Sequence, residues 1–137
     1  MDRLIVERKL DSLLRCLRRI EDKRPASVES LAADIDLQDV LVLNLGRAVQ
    51  TCVDLAAHLI ADRSLPPPAT MGEAFDRLAE AGIVDSALAT QMKKAVGFRN
   101  IAVHAYETID WAIVYAISTR HLQDFEDFAR VIARTLG

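Results

Sequence analysis

Apolar residues recur at three- and four-residue spacing along nearly the whole chain. Leu10, Leu13, Leu14, Leu17 and Ile20 set this period near the start, and the spacing predicts an amphipathic first helix over residues 2–22. Pro25 has no N–H and its ring clashes with the preceding turn, so that helix stops near Lys23. Ser27 suits the N-cap of a short turn through Val28–Ile35, and Asp36 the cap of a long second helix running to about Arg63. Val40, Leu41, Leu45, Val49, Cys52, Val53, Ala56 and Ile60 hold one face of that helix for many turns. Gly46 sits inside it at a cost of about 1 kcal/mol against Ala, so it is expected to mark a close approach between helices.

Pro66-Pro67-Pro68 is a stiff extended loop and the clearest break in the pattern. Thr70 and Glu73 then read as a capping box opening a short third helix, which Gly82 ends. Asp85 or Ser86 opens a fourth helix reaching toward His104. Thr108 or Asp110 opens a fifth that carries Trp111, Val114, Tyr115, Ile117, Leu122, Phe125, Phe128 and Ile132. No alternating, strand-length segment competes. The expected class is all-α, an up-and-down bundle of four main helices with one extra short helix.

A length of 137 residues suits one domain, here residues 1–137, and is long enough to bury a core without staples. Apolar residues make up 51% and charged residues 27%, both ordinary for a globular chain. The longest uncharged apolar stretches fall short of the ~18 residues of a membrane-crossing helix. The opening Met1-Asp2-Arg3-Leu4 lacks the apolar core of a signal peptide. No membrane association and a cytoplasmic location are therefore expected. Cys16 and Cys52 lie in helical segments with no paired spacing, and are expected as small core or near-core residues rather than a disulfide or zinc site.

The net charge of −3 is unevenly spread: residues 1–24 hold eight Lys/Arg against five Asp/Glu, whereas the remainder holds nine against fifteen. A chain that coats nucleic acid is normally basic overall, so any RNA contact here must be local. Arg15, Arg18, Arg19, Lys23 and Arg24 cluster on the outer face and end of the first helix. They suit a solvated face with cations near a helix C-terminus, or a docking surface for an acidic partner or RNA backbone.

Phosphate-binding glycine loops, dinucleotide fingerprints, His-Glu-x-x-His and Cys-x-x-Cys are all absent from the sequence. Asp54 with His58, and His121 with Asp124, place an acid and an imidazole one turn apart, but such pairs are frequent in helices. No metal and no cofactor are expected. His58 reads as a packed or rim histidine and His121 as a residue of a solvated face.

One segment resists a purely structural account: Gly97-Phe98-Arg99-Asn100-Ile101-Ala102-Val103-His104-Ala105-Tyr106. Phe98, Ile101, Ala102 and Ala105 give it a core-facing stripe, against which stand Arg99, Asn100, His104 and Tyr106. Asn100 and His104, four apart, share a helix face, whereas Arg99 and His104 lie about 140° around the helix and ~7.5 Å along it. Either the Arg side chain folds across the helix end, or Arg and His from two chains complete one another in a symmetric homodimer.

Arg99-x4-His104-x-Tyr106 resembles the Arg-x4-His-x-Tyr motif of HepT-type toxins in the HEPN superfamily. The resemblance extends to Asn44-Leu45-Gly46-Arg47-Ala48-Val49-Gln50, Asp54-Leu55-Ala56-Ala57-His58-Leu59-Ile60, the Pro-rich loop with Glu73-Ala74-Phe75, Leu78-Ala79-Glu80-Ala81-Gly82-Ile83 and Gly97-Phe98-Arg99-Asn100. It spans roughly residues 1–135. What it implies is a homodimeric, metal-independent endoribonuclease acting on RNA, encoded with an MNT-type nucleotidyltransferase antitoxin. Arg99 and His104 would be the catalytic pair, Asn100 a supporting polar residue, and Tyr106 the acceptor of AMP transferred by the antitoxin. The chemistry is coherent: an imidazole can serve as base or acid near neutral pH, and a guanidinium can stabilise charge gathering on phosphate oxygens. A non-catalytic helical subunit that binds nucleotide or docks a nucleotidyltransferase remains open as the alternative.

Overall fold

A computed structural model describes residues 2–136, and within them every regular element is helical. The elements are α1 (Arg3–Lys23), α2 (Val28–Ala32), α3 (Ile35–Asp62), α4 (Met71–Glu80), α5 (Ser86–His104), α6 (Trp111–Ala116) and α7 (Leu122–Thr135). A 3-10 turn, Tyr106–Thr108, follows α5, and a widened π turn, Ile117–His121, joins α6 to α7 into one long rod. The bundle is up-and-down, with α3 at its centre against α1, α4, α5 and α7.

Local side-chain chemistry explains most of the boundaries. The carboxylate or hydroxyl oxygens of Asp2, Ser27, Thr70 and Asp85 accept from the N–H three residues on, as N-caps do. Thr70 accepts from Glu73 N at 3.1 Å, while the Glu73 carboxylate reaches back to Ala69 N. Gly82 adopts φ +74° and lets Ile83 N donate to Leu78 O at 2.9 Å, closing α4 with a left-handed residue. The long helix is capped by Asp34, not Asp36: Asp34 Oδ1 accepts from Leu37 N at 3.1 Å. Gln38 settles that choice by donating to Leu31 O and Ala32 O, which folds the end of α2 onto the first turn of α3.

One continuous core fills the bundle. Leu13, Leu17 and Ile20 of α1 meet Leu41, Leu45, Cys52 and Leu59 of α3, all 2% exposed or less. Phe75 and Phe128 pack edge to face with ring centroids 5.4 Å apart, tying α4 to α7. Cys16 and Cys52 are free, buried thiols, as their positions suggested. Burial holds the Cys52 thiol far above its ordinary range. By length and composition α3 does contain a window apolar enough to cross a membrane, which the uncharged runs alone did not reveal. Half of that window is buried inside the bundle, as befits its central helix.

Gly46 does not mark a close approach. A Cβ built on it meets nothing within 4 Å, because its side of α3 faces outward between Leu43 and Arg47.

Candidate active site

The last two turns of α5 carry the chemistry-bearing segment. Phe98 is buried and anchors it, with Ala102 and Ala105 half-buried behind. Ile101 is 46% exposed, so the core stripe is narrower than the sequence suggested. Ile101 instead joins Phe98, Ile109, Ile113, Ile117 and Phe125 around a mainly apolar cavity of about 490 Å³ between α5 and the α6–α7 rod. Neither Arg99 nor His104 lines it.

Arg99 is half-buried beside α4. Its Nη1 approaches Met71 Sδ at 3.8 Å and donates to Asn100 Oδ1 at 3.4 Å. The Asn100 carbonyl is thereby turned to the guanidinium, leaving its amide N–H groups to face outward. His104 closes α5 and is exposed, and its imidazole has no hydrogen bond or ion pair among the described residues. Within one chain the two groups do not meet: Arg99 does not fold across the helix end, in keeping with the 140° between them.

Tyr106 opens the 3-10 turn two residues beyond His104. Its hydroxyl donates to Asp39 Oδ1 at 3.0 Å, and its ring stands edge-on to Trp111 at 6.2 Å. Partial burial, then the hydrogen bond to Asp39 and the charge of that carboxylate, push the Tyr106 hydroxyl above the ordinary tyrosine range. Asp39 was not singled out in the sequence. Its one signal is a charge among apolar positions near the start of α3, sixty-seven residues from its partner.

The other histidines hold no site. Asp54 accepts from Lys9 Nζ at 3.2 Å and from Gln50 Nε2 at 3.0 Å, so it is not free to pair with the half-buried His58. His121 Nδ1 lies 3.2 Å from Asp124 Oδ2 at the rim of the apolar cavity. Among the described residues no group of three metal-binding side chains occurs. The basic face of α1 is exposed as expected, and among the described residues only the Arg24 side chain of it is engaged, donating to Ser118 O at 2.8 Å.

Comparison with known proteins adds three findings. The family described as Ribonuclease HepT-like matches residues 13–132. The mRNA nuclease HepT of Shewanella oneidensis is 35% identical over 128 residues, covering 93% of this chain and 96% of the relative. Two solved structures superpose closely. One is the tri-AMPylated Shewanella oneidensis HEPN toxin in complex with MNT antitoxin, with TM-score 0.90, 34% identity and coverage of 98% and 99%. The other is a toxin–antitoxin complex with AMP-PNP, with TM-score 0.89, 34% identity and coverage of 95% and 98%.

Proposed function

The chain belongs to the HepT-like ribonucleases of the HEPN superfamily, and from that premise we propose that it is the toxin of a HepT/MntA-type toxin–antitoxin system. It cuts RNA without a metal, with Arg99 and His104 as the catalytic pair across a homodimer, and is neutralised when its antitoxin places AMP on Tyr106. The observation that carries this reading is the end of α5. There a guanidinium held by a neutral amide, an exposed imidazole and a tyrosine hydroxyl sit within eight residues, and no carboxylate quenches the Arg or the His among the described residues.

The ribose 2′-hydroxyl attacks the adjacent phosphorus, and the leaving 5′-oxygen must gain a proton. Two copies of His104 divide these tasks, one taking the 2′ proton and one supplying the 5′ oxygen. Negative charge gathers on the phosphate oxygens as the pentavalent state forms. Arg99 faces it with planar donors, and the Asn100 carbonyl fixes the guanidinium without cancelling its charge. The products are a 2′,3′-cyclic phosphate and a 5′-hydroxyl. A homodimer is required because Arg99 and His104 of one chain point apart.

Transfer of AMP from ATP onto the Tyr106 oxygen, with pyrophosphate leaving, removes the proton that the hydroxyl donates to Asp39 and sets a phosphodiester anion beside that carboxylate. The tyrosine then leaves Asp39, and its new charge and bulk occupy the space two residues from His104, where an RNA phosphate must bind.

The test is purified protein incubated with total RNA and with tRNA in EDTA. Cleavage by the wild type that disappears in His104→Ala and in Arg99→Ala supports the enzyme. No cleavage at micromolar protein, with antitoxin binding intact in both variants, would instead make the chain a non-catalytic partner of the nucleotidyltransferase.

A further inference from the structure

A second polar site lies on the seam between α1 and α3. The two helices bury Cys16, Leu17 and Leu45 between them, and on the outer side of that contact the seam opens into a groove of about 470 Å³. Arg15 and Arg19, one turn apart on α1, line one wall; Arg47 of α3 lines the other, and no carboxylate lines either. Like charges one helical turn apart repel by a few tenths of a kcal/mol, and a third guanidinium across the groove adds to that.

Among the described residues some cations are paired and others, such as Arg8 and Arg18, are not. Arg3, Lys9, Arg77, Lys93 and Arg130 each pair with a carboxylate. The guanidinium groups of Arg15, Arg19 and Arg47 enter no ion pair or hydrogen bond among the described residues, although acidic side chains outnumber basic ones twenty to seventeen. Three unquenched guanidiniums in one groove of an acidic protein form a local anion site. Arginine's planar fork suits phosphate oxygens in particular.

The position of the groove says which phosphates. Asp39, the partner of Tyr106, is one residue before Val40, the first α3 residue of the groove wall, and Arg47 ends that wall. Eight residues of helix separate Asp39 from Arg47, about 12 Å along the axis. Asp39 is turned about 100° around α3 from Val40 and stands one turn before Leu43 of the wall, so the groove starts at the same end of α3 as the Tyr106–Asp39 contact and runs away from that end. A single strand bound at the end of α5 and running on along α3 passes the three arginines.

We propose that Arg15, Arg19 and Arg47 bind the sugar-phosphate backbone of the single-stranded RNA substrate and set its path toward His104. The inference rests on the ribonuclease reading above and adds a binding track to it. Such contacts position a strand and carry no sequence information, so all RNA sequences are affected alike.

The test uses the full-length protein, not AMPylated, with a fluorescently labelled single-stranded oligoribonucleotide. Affinity is measured by anisotropy on a His104→Ala background, which leaves the RNA uncut. Combined Arg15→Gln, Arg19→Gln and Arg47→Gln substitution is expected to weaken binding by roughly 10- to 100-fold at 0.1 M salt. The log–log salt dependence should flatten by about 2, at ~0.7 per lost phosphate contact on a single strand. The matching Arg→Lys variant keeps most of the salt slope, which separates lost charge from lost fold. With His104 intact, the Gln variant should raise KM for RNA cleavage and leave kcat within about twofold. Unchanged affinity and salt slope in the Gln variant, while the wild type still cuts RNA, would overturn the track and leave the nuclease standing. Loss of antitoxin binding with RNA affinity intact would likewise overturn it, by making the groove a protein-docking surface. A wild type that neither binds nor cuts RNA would be the failure of the ribonuclease reading itself.

Discussion

The hydroxyl of Tyr106 donates to the carboxylate of Asp39 across a sequence gap of sixty-seven residues, fastening the turn after α5 to the second turn of α3. Burial, the hydrogen bond and the carboxylate charge all favour the protonated tyrosine, so Tyr106 ionises above the ordinary range near pH 10. A raised folded-state value means that its contribution to stability is full below the ordinary tyrosine range and fades as pH climbs through the folded value. An absorbance titration at 295 nm should show one late-ionising tyrosine, absent in Tyr106→Phe. Asp39→Asn should move it down, though not fully, because burial remains. A titration identical to the wild type would show that Asp39 does not act on the hydroxyl.

Arg99 is held by a neutral carbonyl and a thioether, so its charge is unspent in the free protein. Arg99→Lys keeps the charge and loses the planar fork. RNA cleavage should fall by roughly 10- to 100-fold, and by about 1,000-fold in Arg99→Ala, with melting temperatures little changed. Initial rates under EDTA at saturating RNA measure it; Lys activity equal to the wild type would reduce the role of Arg99 to a point charge.

Gly46 interrupts the longest helix without any neighbour that needs its smallness. Gly46→Ala should therefore gain up to about 1 kcal/mol of helix propensity and raise the melting temperature by roughly 3 °C. Calorimetry at several protein concentrations checks this. A lower melting temperature would place a second chain against that side of α3.

Phe128 is fully buried and edge-on to Phe75. Phe128→Ala should cost about 3–5 kcal/mol, enough to remove a large share of the stability of a chain this size. Urea unfolding would show the midpoint falling with little change in slope. A loss below about 1 kcal/mol would mean that the α4–α7 contact collapses easily around the gap.

The helical order, the Pro66–Pro68 break, the Thr70 and Asp85 caps and the Gly82 stop were all legible in the sequence, because each rests on side chains within four residues of the backbone they satisfy. The shift of the α3 cap from Asp36 to Asp34 was not: both carboxylates suit the role, and Gln38 decides by reaching back to the carbonyls of α2. The burial of Ile101 was overestimated for a similar reason, since its period fits the core face but the apolar cavity opens beside it. At the site, the angle between Arg99 and His104 left open whether the Arg side chain folds across the helix end, and the contacts of Arg99 with Met71 and Asn100 show that it does not. Asp39 escaped notice because its partner Tyr106 comes from the turn after α5, and Arg47 because the arginines across the groove from it stand on α1; no local spacing announces a juxtaposition of segments so distant in the chain.

The π turn at Ile117–His121 has a consequence for how the C-terminal helix can vary. It takes in one more residue than regular winding would, with Ser118 fully buried within it and Arg24 fastened to the Ser118 carbonyl. Each residue of a regular helix sweeps about 100°, so excising one from the regular turns of α7 would wheel every later position by that angle, whereas excising one within Ile117–His121 lets the π turn return to regular winding and leaves Leu122, Phe125 and Phe128 facing the core. The stretch thus absorbs a change of count that the regular turns on either side do not, and the placement of the Phe128 ring against Phe75 survives the loss of one residue there.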